Sequence, residues 1–226
     1  MGLRPNLLTH AGRVLRAQPI AAEKHDRKHL LRLTGMVLFF GMLYGSALGT
    51  NGGVATSTLQ QMLYSSIKLP LLLFASLALS LPSFFVVNTL LGLRDDFGDA
   101  VRAIASAQVG LTIVLASLAP FTLLWYVSLE NYAVTVLFNA VIFAIASVSA
   151  QIILRKHYAP LIARNPIHRP LMWAWLLIYA FVGIQMGWVM RPFIGRPDMA
   201  THFFREDAWT NAYLAVLEKI SQAFGG

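Results

Sequence analysis

The stretch LLRLTGMVLFFGMLYGSALG, residues 30 to 49, decides the class of fold. Arg32 is its one charged residue, and about 20 apolar residues suffice for a helix to cross the hydrocarbon core of a bilayer. Its last three glycines, at positions 41, 45 and 49, recur every four residues and therefore lie on one face of a helix. Glycine lets neighbouring backbones approach closely, which is a main source of attraction between helices in lipid. We expect Gly41, Gly45 and Gly49 to pack against another helix, either in this bundle or in a second chain.

Four more stretches are long and apolar enough to span a membrane. They are 69–93, 103–127, 132–154 and 171–190. Hydrophobic residues make up 57% of the 226-residue chain and charged residues 12%, with a mean hydropathy of +0.60. A soluble domain, by comparison, carries about 25% charged residues. The sequence therefore predicts an all-α fold: a polytopic transmembrane helical bundle of five spans within residues 30–190.

Positive charge is distributed unevenly between the two sides of such a bundle. Lys and Arg are concentrated in residues 1–32 and in the connections after the second and fourth spans, whereas the opposite side carries few, Lys68 among them. Because cytoplasmic loops are enriched in Lys and Arg, we expect the N-terminus in the cytoplasm and the C-terminus outside. The expected location is a bacterial inner membrane. The formal charge of +8 then indicates topology rather than nucleic-acid binding.

The two flanks of the bundle are predicted to be amphipathic. Residues 1–29 form a basic cytoplasmic segment, in which a helix over 6–18 lies on the anionic lipids of the cytoplasmic leaflet. The apolar face of that helix contains Leu7, Leu8, Ala11, Val14 and Leu15. Residues 191–226 form an extracytoplasmic tail with an interfacial helix that begins at Asp207. Its apolar stripe contains Trp209, Tyr213, Val216, Ile220 and Phe224.

The centres of the five spans contain neutral polar residues but no Asp, Glu, Lys, Arg or His. The polar residues are Asn88, Gln108, Asn139, Gln151 and Gln185. Intramembrane charges mark proton relays and ion pathways, so their absence from the span centres argues against an ion-coupled transporter. A side-chain amide in lipid usually bonds a neighbouring helix, for about 1 kcal/mol. Interhelical bonding is therefore the first interpretation of these amides, and a substrate-lining role is the alternative.

Two clusters outside the span centres have the residue types of metal sites. Asp95, Asp96 and Asp99 form a carboxylate cluster that can hold Mg²⁺, although carboxylates before a helix also serve as caps. His25 and His29 stand one helical turn apart, as in zinc sites, within a basic patch suited to lipid headgroups. Neither cluster has a complete ligand set, and the sequence contains no nucleotide-binding or protease motif. We therefore expect no catalytic residue, metal site or cofactor.

The segment MRPFIGRPDMATHFFRED, residues 190–207, is the most distinctive part of the tail. Its Pro and Gly residues predict a turn where the chain leaves the membrane, and its aromatic residues predict anchors at the lipid–water interface. Docking of a partner protein is the alternative interpretation. Candidate interface residues are Arg191, Pro192, Phe193, Gly195, Phe203, Phe204 and Trp209.

Three segments carry a resemblance to known proteins: SIKLPLLLFASLALSLPSFFVVNTLLG at 66–92, LASLAP at 115–120 and QMGWVMRPFIGRP at 185–197. They are similar to a group of uncharacterised bacterial multi-pass membrane proteins with a C-terminal RPF-x-G-x-P motif. The five-span layout with the N-terminus inside also resembles that of Yip1-type membrane proteins. The resemblance implies the fold and its layout, and it implies no functional residue.

These features favour a non-enzymatic membrane protein that is a structural or accessory subunit, or an organiser, of a membrane assembly. Its expected partners are the bilayer and other membrane subunits or further copies of itself, and no nucleic acid. A passive channel or carrier for a lipid or small solute is the alternative, and an aqueous cavity reaching Gln108, Asn139 and Gln151 would favour it. An enzyme acting on lipid headgroups is a third hypothesis, with the three aspartates as its metal ligands.

Overall fold

A computed structural model of the chain describes residues 7–16, 27–51, 56–129, 131–195, 201–205 and 208–215. Within these ranges the chain is helical apart from turns and short connections, and no strand occurs. The helices are α1 (Leu7–Leu15), α2 (Arg27–Gly49), α3 (Thr56–Leu90), α4 (Phe97–Ser128), α5 (Tyr132–Arg164) and α6 (His168–Val189), with a 3₁₀ turn at Arg94–Asp96.

Among the described residues, five helices, α2 to α6, are long and apolar enough to cross a membrane. The prediction of an all-helical bundle with five candidate spans is thus confirmed. The 35 residues of α3 extend over about 52 Å at 1.5 Å per residue, whereas the hydrocarbon core of a bilayer is about 30 Å thick. α4 and α5, with 32 and 33 residues, are nearly as long. These helices are therefore long enough to carry polar side chains beyond the lipid core.

Helices α3 and α5 extend well beyond the apolar stretches that predict them. α3 begins at Thr56, although its apolar stretch begins at Leu69, and α5 continues to Arg164, although its stretch ends at Leu154. Hydropathy marks the part of a helix that lies in lipid, but the backbone stays helical for as long as its polar side chains find partners. Both extensions supply such side chains to the two ends of the bundle.

Each span buries one face against a neighbour. α2 packs between α3 and α4, α3 also packs on α6, and α4 packs on α5. The helices thus form a row in the order α6, α3, α2, α4, α5, and this row curls until α5 and α6 meet. The seam between α5 and α6 has the sparsest packing of the adjacent pairs. The bundle is therefore least tightly closed on that side.

The glycine face of α2 lies against α3 of the same chain. A Cβ atom on Gly45 would lie 2.8 Å from Ser66 Cα, and one on Gly49 would lie 2.8 Å from the carbonyl carbon of Gln61. Both obstacles are backbone atoms, so neither position has room for a side chain. Gly41 faces the ring of Pro70, which also belongs to α3. The two helices run antiparallel, and their backbones approach closely at two successive turns.

The short helix α1 also packs on the bundle. Ala11 and Val14 are 5% and 3% exposed, and they belong to a hydrophobic cluster that includes Val37 of α2 and Val109 of α4. Arg13, on the opposite face, is exposed. The apolar face that the sequence assigns to the leaflet is therefore, at Ala11 and Val14, covered by other helices.

Candidate functional site

Polar side chains gather at the two opposite ends of the bundle. We call the end where α2 and α6 finish and α3 begins the lysine end, after Lys68. The end where α5 finishes and α4 and α6 begin is the histidine end, after His168. Both side chains are 0% exposed. Because ionisable groups are seldom buried without specific partners, both ends are candidate sites.

Lys68 is held by the chain that follows α6. Its Nζ donates a hydrogen bond of 2.8 Å to the carbonyl oxygen of Pro192 and lies 4.9 Å from the centre of the Phe203 ring. A carbonyl dipole and an aromatic face both stabilise a cation electrostatically. Lys68 does not lie in the connection before the second span, as the apolar pattern predicts, but inside α3. It ties that helix to the tail.

The backbone of residues 191–195 is bonded to polar side chains of α3. Gln61 donates a hydrogen bond of 3.3 Å to the carbonyl oxygen of Phe193, and Ser65 donates to the same atom. Gln61 also donates to the Ser65 hydroxyl at 3.0 Å. Buried carbonyl groups of an irregular segment need such donors, because the segment has no regular backbone partners. The polar start of α3 is thus explained by the tail that it receives.

The candidate interface residues of the tail divide into two groups. Phe193 is half-buried against a core cluster, and Phe203 meets Tyr64 of α3 edge to face, with 5.1 Å between the ring centres. Phe204 and Trp209, by contrast, are 41% and 79% exposed. The residues that are buried or half-buried with Phe193 are Arg191, Pro192 and Gly195. Most of the predicted interface is therefore covered by the bundle itself, and two aromatic side chains protrude from it.

The substitution Gly195→Ala should loosen this segment. A Cβ atom at Gly195 would lie 2.6 Å from the backbone oxygen of Asn51, and Asn51 Nδ2 donates a 2.8 Å hydrogen bond to the Gly195 carbonyl oxygen. The segment must shift to accommodate the methyl group, so we expect chymotrypsin to cleave after Phe193 several-fold faster. Gly187→Ala is the control, because a Cβ there meets nothing within 4 Å. Equal cleavage of the two variants would contradict the close approach.

After its turn, the tail returns along α6. The side-chain amide of Gln185 donates to the carbonyl oxygen of Thr210 and accepts from the backbone N–H of Ala212, both at 3.0 Å. Tyr213 stacks on Phe181, with 4.6 Å between the ring centres, and donates a 2.8 Å hydrogen bond to the Phe181 carbonyl oxygen. Gln185 therefore pairs with the backbone of the tail, and in the described residues it does not join two spans.

The described part of the predicted tail helix is short. Residues 212–215 form one helical turn, in which Ala212 is buried. The buried face also includes Ala208, whereas Trp209, the first residue of the predicted apolar stripe, points outward. The small alanines allow the tail to lie close to α6. The other stripe residues apart from Tyr213 lie outside the described residues: Val216, Ile220 and Phe224.

The substitution Gln185→Leu should release the tail from α6. It removes both hydrogen bonds between the Gln185 amide and the tail backbone, and it takes away the acceptor of the Ala212 backbone N–H. The chain has no cysteine, so Ala212→Cys, at a site 3% exposed, gives a single thiol whose labelling reports release. We expect maleimide labelling at least several-fold faster in the Gln185→Leu background. In the control Ile184→Ala, at a site 57% exposed, labelling should stay slow; equal rates in both backgrounds would refute this contact.

At the histidine end, one carboxylate connects three helices. Asp96, in the 3₁₀ turn before α4, accepts a hydrogen bond from Arg164 of α5, and its second oxygen lies 3.0 Å from Nε2 of His168 in α6. Asp99 pairs with Arg102 on α4 and lies 3.8 Å from Arg164. Acidic and basic groups are paired in this cluster, whose arginines remain partly exposed. The cluster holds α4, α5 and α6 together.

The inner side of this cluster is closed. His168 Nδ1 and the Tyr158 hydroxyl are both buried and have no hydrogen-bond partner among the described residues. Their rings meet edge to face, with 5.9 Å between centres. The bond to Asp96 orients the imidazole, as in many acid–base pairs. Because His168 is 0% exposed, however, the pair joins helices and is not open to a substrate in this conformation.

The magnesium hypothesis at Asp95, Asp96 and Asp99 gains no support from this geometry. Asp96 and Asp99 are paired with arginines, and Asp95 is exposed. Within the ranges that the structure describes, no group of three His, Cys, Asp or Glu residues could hold a metal ion. The capping alternative is wrong for Asp96, which occupies the N-cap of α4 without a side-chain cap hydrogen bond, because Arg164 and His168 engage its oxygens. His25, of the second predicted pair, lies outside the described residues.

Two of the predicted intramembrane amides join helices. Gln108 of α4 donates hydrogen bonds of 2.9 Å to the Leu73 carbonyl oxygen of α3 and to the Tyr179 hydroxyl of α6. Asn139 of α5 accepts at 3.3 Å from the Tyr44 hydroxyl of α2, and it donates at 2.9 Å to a tyrosine of α4. These bonds cross the interior of the bundle. Each amide thus has hydrogen-bond partners on two neighbouring helices, which the low polarity of lipid favours.

A cavity of about 240 Å³ lies between α4, α5 and α6, beside the sparsely packed seam. Apolar side chains form most of its wall, and its polar lining consists of Gln108, Ser147, Gln151 and Tyr179. Gln151 Oε1 is buried and has no hydrogen-bond partner among the described residues. Ser147 and Ala180, which also line the cavity, are exposed on the surface of the bundle. The cavity therefore opens sideways, between α5 and α6.

Among the residues that the structure describes, this cavity does not continue along the bundle as a polar path. Its lining includes Gln108 and Gln151 but not Asn139, whose amide is used by neighbouring tyrosines. Asn88 donates to the carbonyl oxygen of Phe84 on its own helix. The cavity thus reaches two of the three amides that a channel would connect.

The fold defines the class of this protein as an α-helical membrane bundle, with five helices able to span a bilayer in the described residues. No protein-family model, curated protein or solved structure matches the chain. The resemblance to bacterial multi-pass proteins and to Yip1-type proteins therefore stays a prediction. The function has to be inferred from the two polar ends, the cavity and the protruding aromatic side chains.

Proposed function

We propose that this protein is a non-enzymatic structural or accessory subunit, or an organiser, of a membrane assembly. The observation that carries the proposal is the use of polar side chains as ties between helices. Gln108 connects α3, α4 and α6, and Asp96 connects the start of α4 with α5 and α6. Polar groups engaged in this way stabilise a bundle, and they offer neither an ion path nor a reacting group.

The surface that we propose for partner contact is the aromatic pair Phe204 and Trp209 at the lysine end. Their ring centres are 6.0 Å apart, and both side chains are exposed. Described residues before and after the pair are bonded to the bundle, Pro192 by Lys68, and Thr210 and Ala212 by Gln185. Aromatic side chains on a rigid support are typical anchors of protein interfaces.

The proposed orientation places the histidine end in the cytoplasm and the lysine end outside, in a bacterial inner membrane. Its basis is the excess of Lys and Arg in the N-terminal segment and near the histidine end, since cytoplasmic loops carry such an excess. The basic residues near the histidine end are Arg94, Arg102, Arg155, Lys156, Arg164 and Arg169. At this face, they and the N-terminal segment would contact anionic lipids.

Purification in a mild detergent, with identification of co-purifying chains, tests the subunit proposal. We expect a stoichiometric membrane partner or further copies of the chain. The double substitution Phe204→Ala, Trp209→Ala should remove the partner without changing the thermal stability of the bundle itself. Leu177→Ala is the matched control, because Leu177 is 72% exposed on α6 and away from the aromatic pair. A lone, monodisperse wild-type protein would contradict the proposal.

A passive channel or carrier for a lipid or small solute is the second candidate, and the cavity at Gln108 and Gln151 is the observation that favours it. Reconstitution into vesicles that contain fluorescent lipids or an enclosed dye distinguishes the two candidates. Flux above that of protein-free vesicles, lost when Ala150→Phe fills the cavity, would support the carrier. Flux equal to that of protein-free vesicles would exclude it for the probes used.

A further inference from the structure

An unpaired polar atom in the cavity indicates what the cavity can hold. Gln151 Oε1 is a hydrogen-bond acceptor that is buried without a donor among the described residues, which is an unfavourable state for a polar atom. Tyr179 accepts from Gln108 through its hydroxyl oxygen, and its own proton has no acceptor among the described residues. The cavity thus offers both an acceptor and a donor. A hydroxyl group is the smallest chemical group that can serve either of them.

The position of the opening indicates where an occupant comes from. Around the exposed rim residues Ser147 and Ala180, the outer faces of α5 and α6 are apolar, with Val148 60%, Leu177 72% and Phe181 60% exposed. Helices of this composition face lipid in a membrane. None of the described residues that line the cavity is charged. An occupant therefore enters from the bilayer and is uncharged, because a charge would be buried there without a counter-ion.

The size of the cavity limits the occupant to a small amphiphile. A dry cavity of about 150 Å³ is known to bind benzene, which has six non-hydrogen atoms. By proportion, a cavity of about 240 Å³ has space for about ten non-hydrogen atoms. The walls are mostly apolar, so most of those atoms are carbon. This corresponds to a medium-chain alcohol or to the hydroxyl-bearing end of a longer one.

We propose that this cavity binds an uncharged alcohol dissolved in the membrane, with its hydroxyl donating to Gln151 Oε1 and its carbon chain in contact with Trp175 and Ala150. Both of these residues line the cavity and are buried. The binding site belongs to one chain, so it does not depend on the proposed subunit role. It also does not require transport, because the cavity has no continuation to Asn139.

Fluorescence of Trp175 tests the site directly. The five tryptophans are reduced to this one by replacing Trp125, Trp173, Trp188 and Trp209 with Phe. The protein is reconstituted in dioleoylphosphatidylcholine vesicles and titrated with 2-bromo-1-octanol, whose bromine quenches a tryptophan that it touches. The comparison compound is 2-bromo-1-methoxyoctane, which has no hydroxyl proton. We expect saturable quenching by the alcohol, at a mole fraction at least fivefold below that needed for the ether.

Two substitutions on α5 separate the site from ordinary contact with lipid. Gln151→Leu should make the alcohol and the ether equally weak quenchers, because the acceptor is gone. Ala150→Phe, which fills the cavity, should abolish saturable quenching, whereas Ala144→Phe at an exposed position of the same helix should leave it unchanged. Equal quenching by both compounds in the chain that keeps Gln151, or saturation that survives Ala150→Phe, would overturn the proposal.

Phospholipid acyl chains are the competing occupant. Vesicles of dibrominated phosphatidylcholine that quench Trp175 strongly, with no relief by 1-octanol, would assign the cavity to bulk lipid and overturn the proposal.

If the single-tryptophan chain fails to fold, thermal unfolding of the unmodified chain provides the measurement. A ligand that binds only the folded state raises its stability. The melting temperature of the protein should then be higher with 1-octanol than with 1-methoxyoctane, and Gln151→Leu should remove this difference. A difference that Gln151→Leu leaves unchanged would refute the site.

Discussion

The substitution Gly45→Leu is expected to separate α2 from α3 and to destabilise the bundle by about 3 kcal/mol or more, at or above the upper range of overpacked cores. Even the first carbon of a side chain at Gly45 would lie 2.8 Å from Ser66 Cα, and the obstacle is backbone that cannot rotate away. The helices must move apart, and the close contacts along their groove are lost with that movement. The measurement is the midpoint of thermal unfolding in detergent.

A graded series on α2 provides the control. Gly45→Ala should destabilise the bundle clearly, but less than Gly45→Leu does. Gly35→Ala should be neutral or stabilising, because a Cβ at Gly35 meets nothing within 4 Å and alanine favours a helix over glycine by about 1 kcal/mol. A Gly45→Leu protein that unfolds at the wild-type temperature would show that the two backbones are not in contact.

The second large effect is expected at the histidine end. Asp96→Ala removes the acceptor of both Arg164 and His168, and it leaves the imidazole of a wholly buried His168 without its Nε2 partner. Leaving one buried polar group unpaired costs about 2 kcal/mol. We expect a loss of that size in the free energy of unfolding, together with faster hydrogen exchange at the end of α5 and the start of α6.

Asp95 provides a matched control for Asp96, because it is the adjacent residue, carries the same charge and is exposed. Asp95→Ala should change the stability little. Asp96→Asn should fall between the two, since an amide keeps an acceptor oxygen but loses the charge that pairs with Arg164. If Asp96→Ala were as stable as Asp95→Ala, the carboxylate would not be the tie between α4, α5 and α6.

The five candidate spans could be predicted because the signal is local. A run such as residues 30–49 needs no partner to show that it belongs in lipid. The spacing of Gly41, Gly45 and Gly49 likewise predicts a face for close packing. It does not predict which helix fills that face, because any small-residue groove attracts any helix of suitable shape. The structure places α3 there.

Contacts between distant residues could not be predicted in this way. His168 and Asp96 are 72 positions apart, so no spacing rule connects them. A signal for the lysine end was nevertheless present in the sequence. Gln61, Ser65 and Lys68 stand at the spacing i, i+4, i+7, which places three polar side chains on one helical face. A polar stripe that leads into an apolar span indicates a buried partner rather than a loop.

The cavity depends on tertiary packing alone. Gln108 and Gln151 are equivalent in the sequence, as single amides within apolar runs. In the structure, Gln108 bonds α3 and α6, while Gln151 Oε1, beside the α5–α6 seam, has no partner in the described part of the chain. Whether an amide joins helices or lines a cavity depends on how closely the neighbouring helix approaches. That distance is set by all the side chains of a seam together, not by one stretch of sequence.

Labelling of the two termini from outside the cell tests the central claim, a bundle that crosses the membrane five times with its N-terminus in the cytoplasm. The chain lacks cysteine, so Gly2→Cys and Gly226→Cys each give one thiol. We predict that a membrane-impermeant maleimide labels Gly226→Cys in intact spheroplasts. It should label Gly2→Cys only after the spheroplasts are lysed. Labelling of both variants before lysis, or of neither, would place the two termini on the same side and contradict the five-span account.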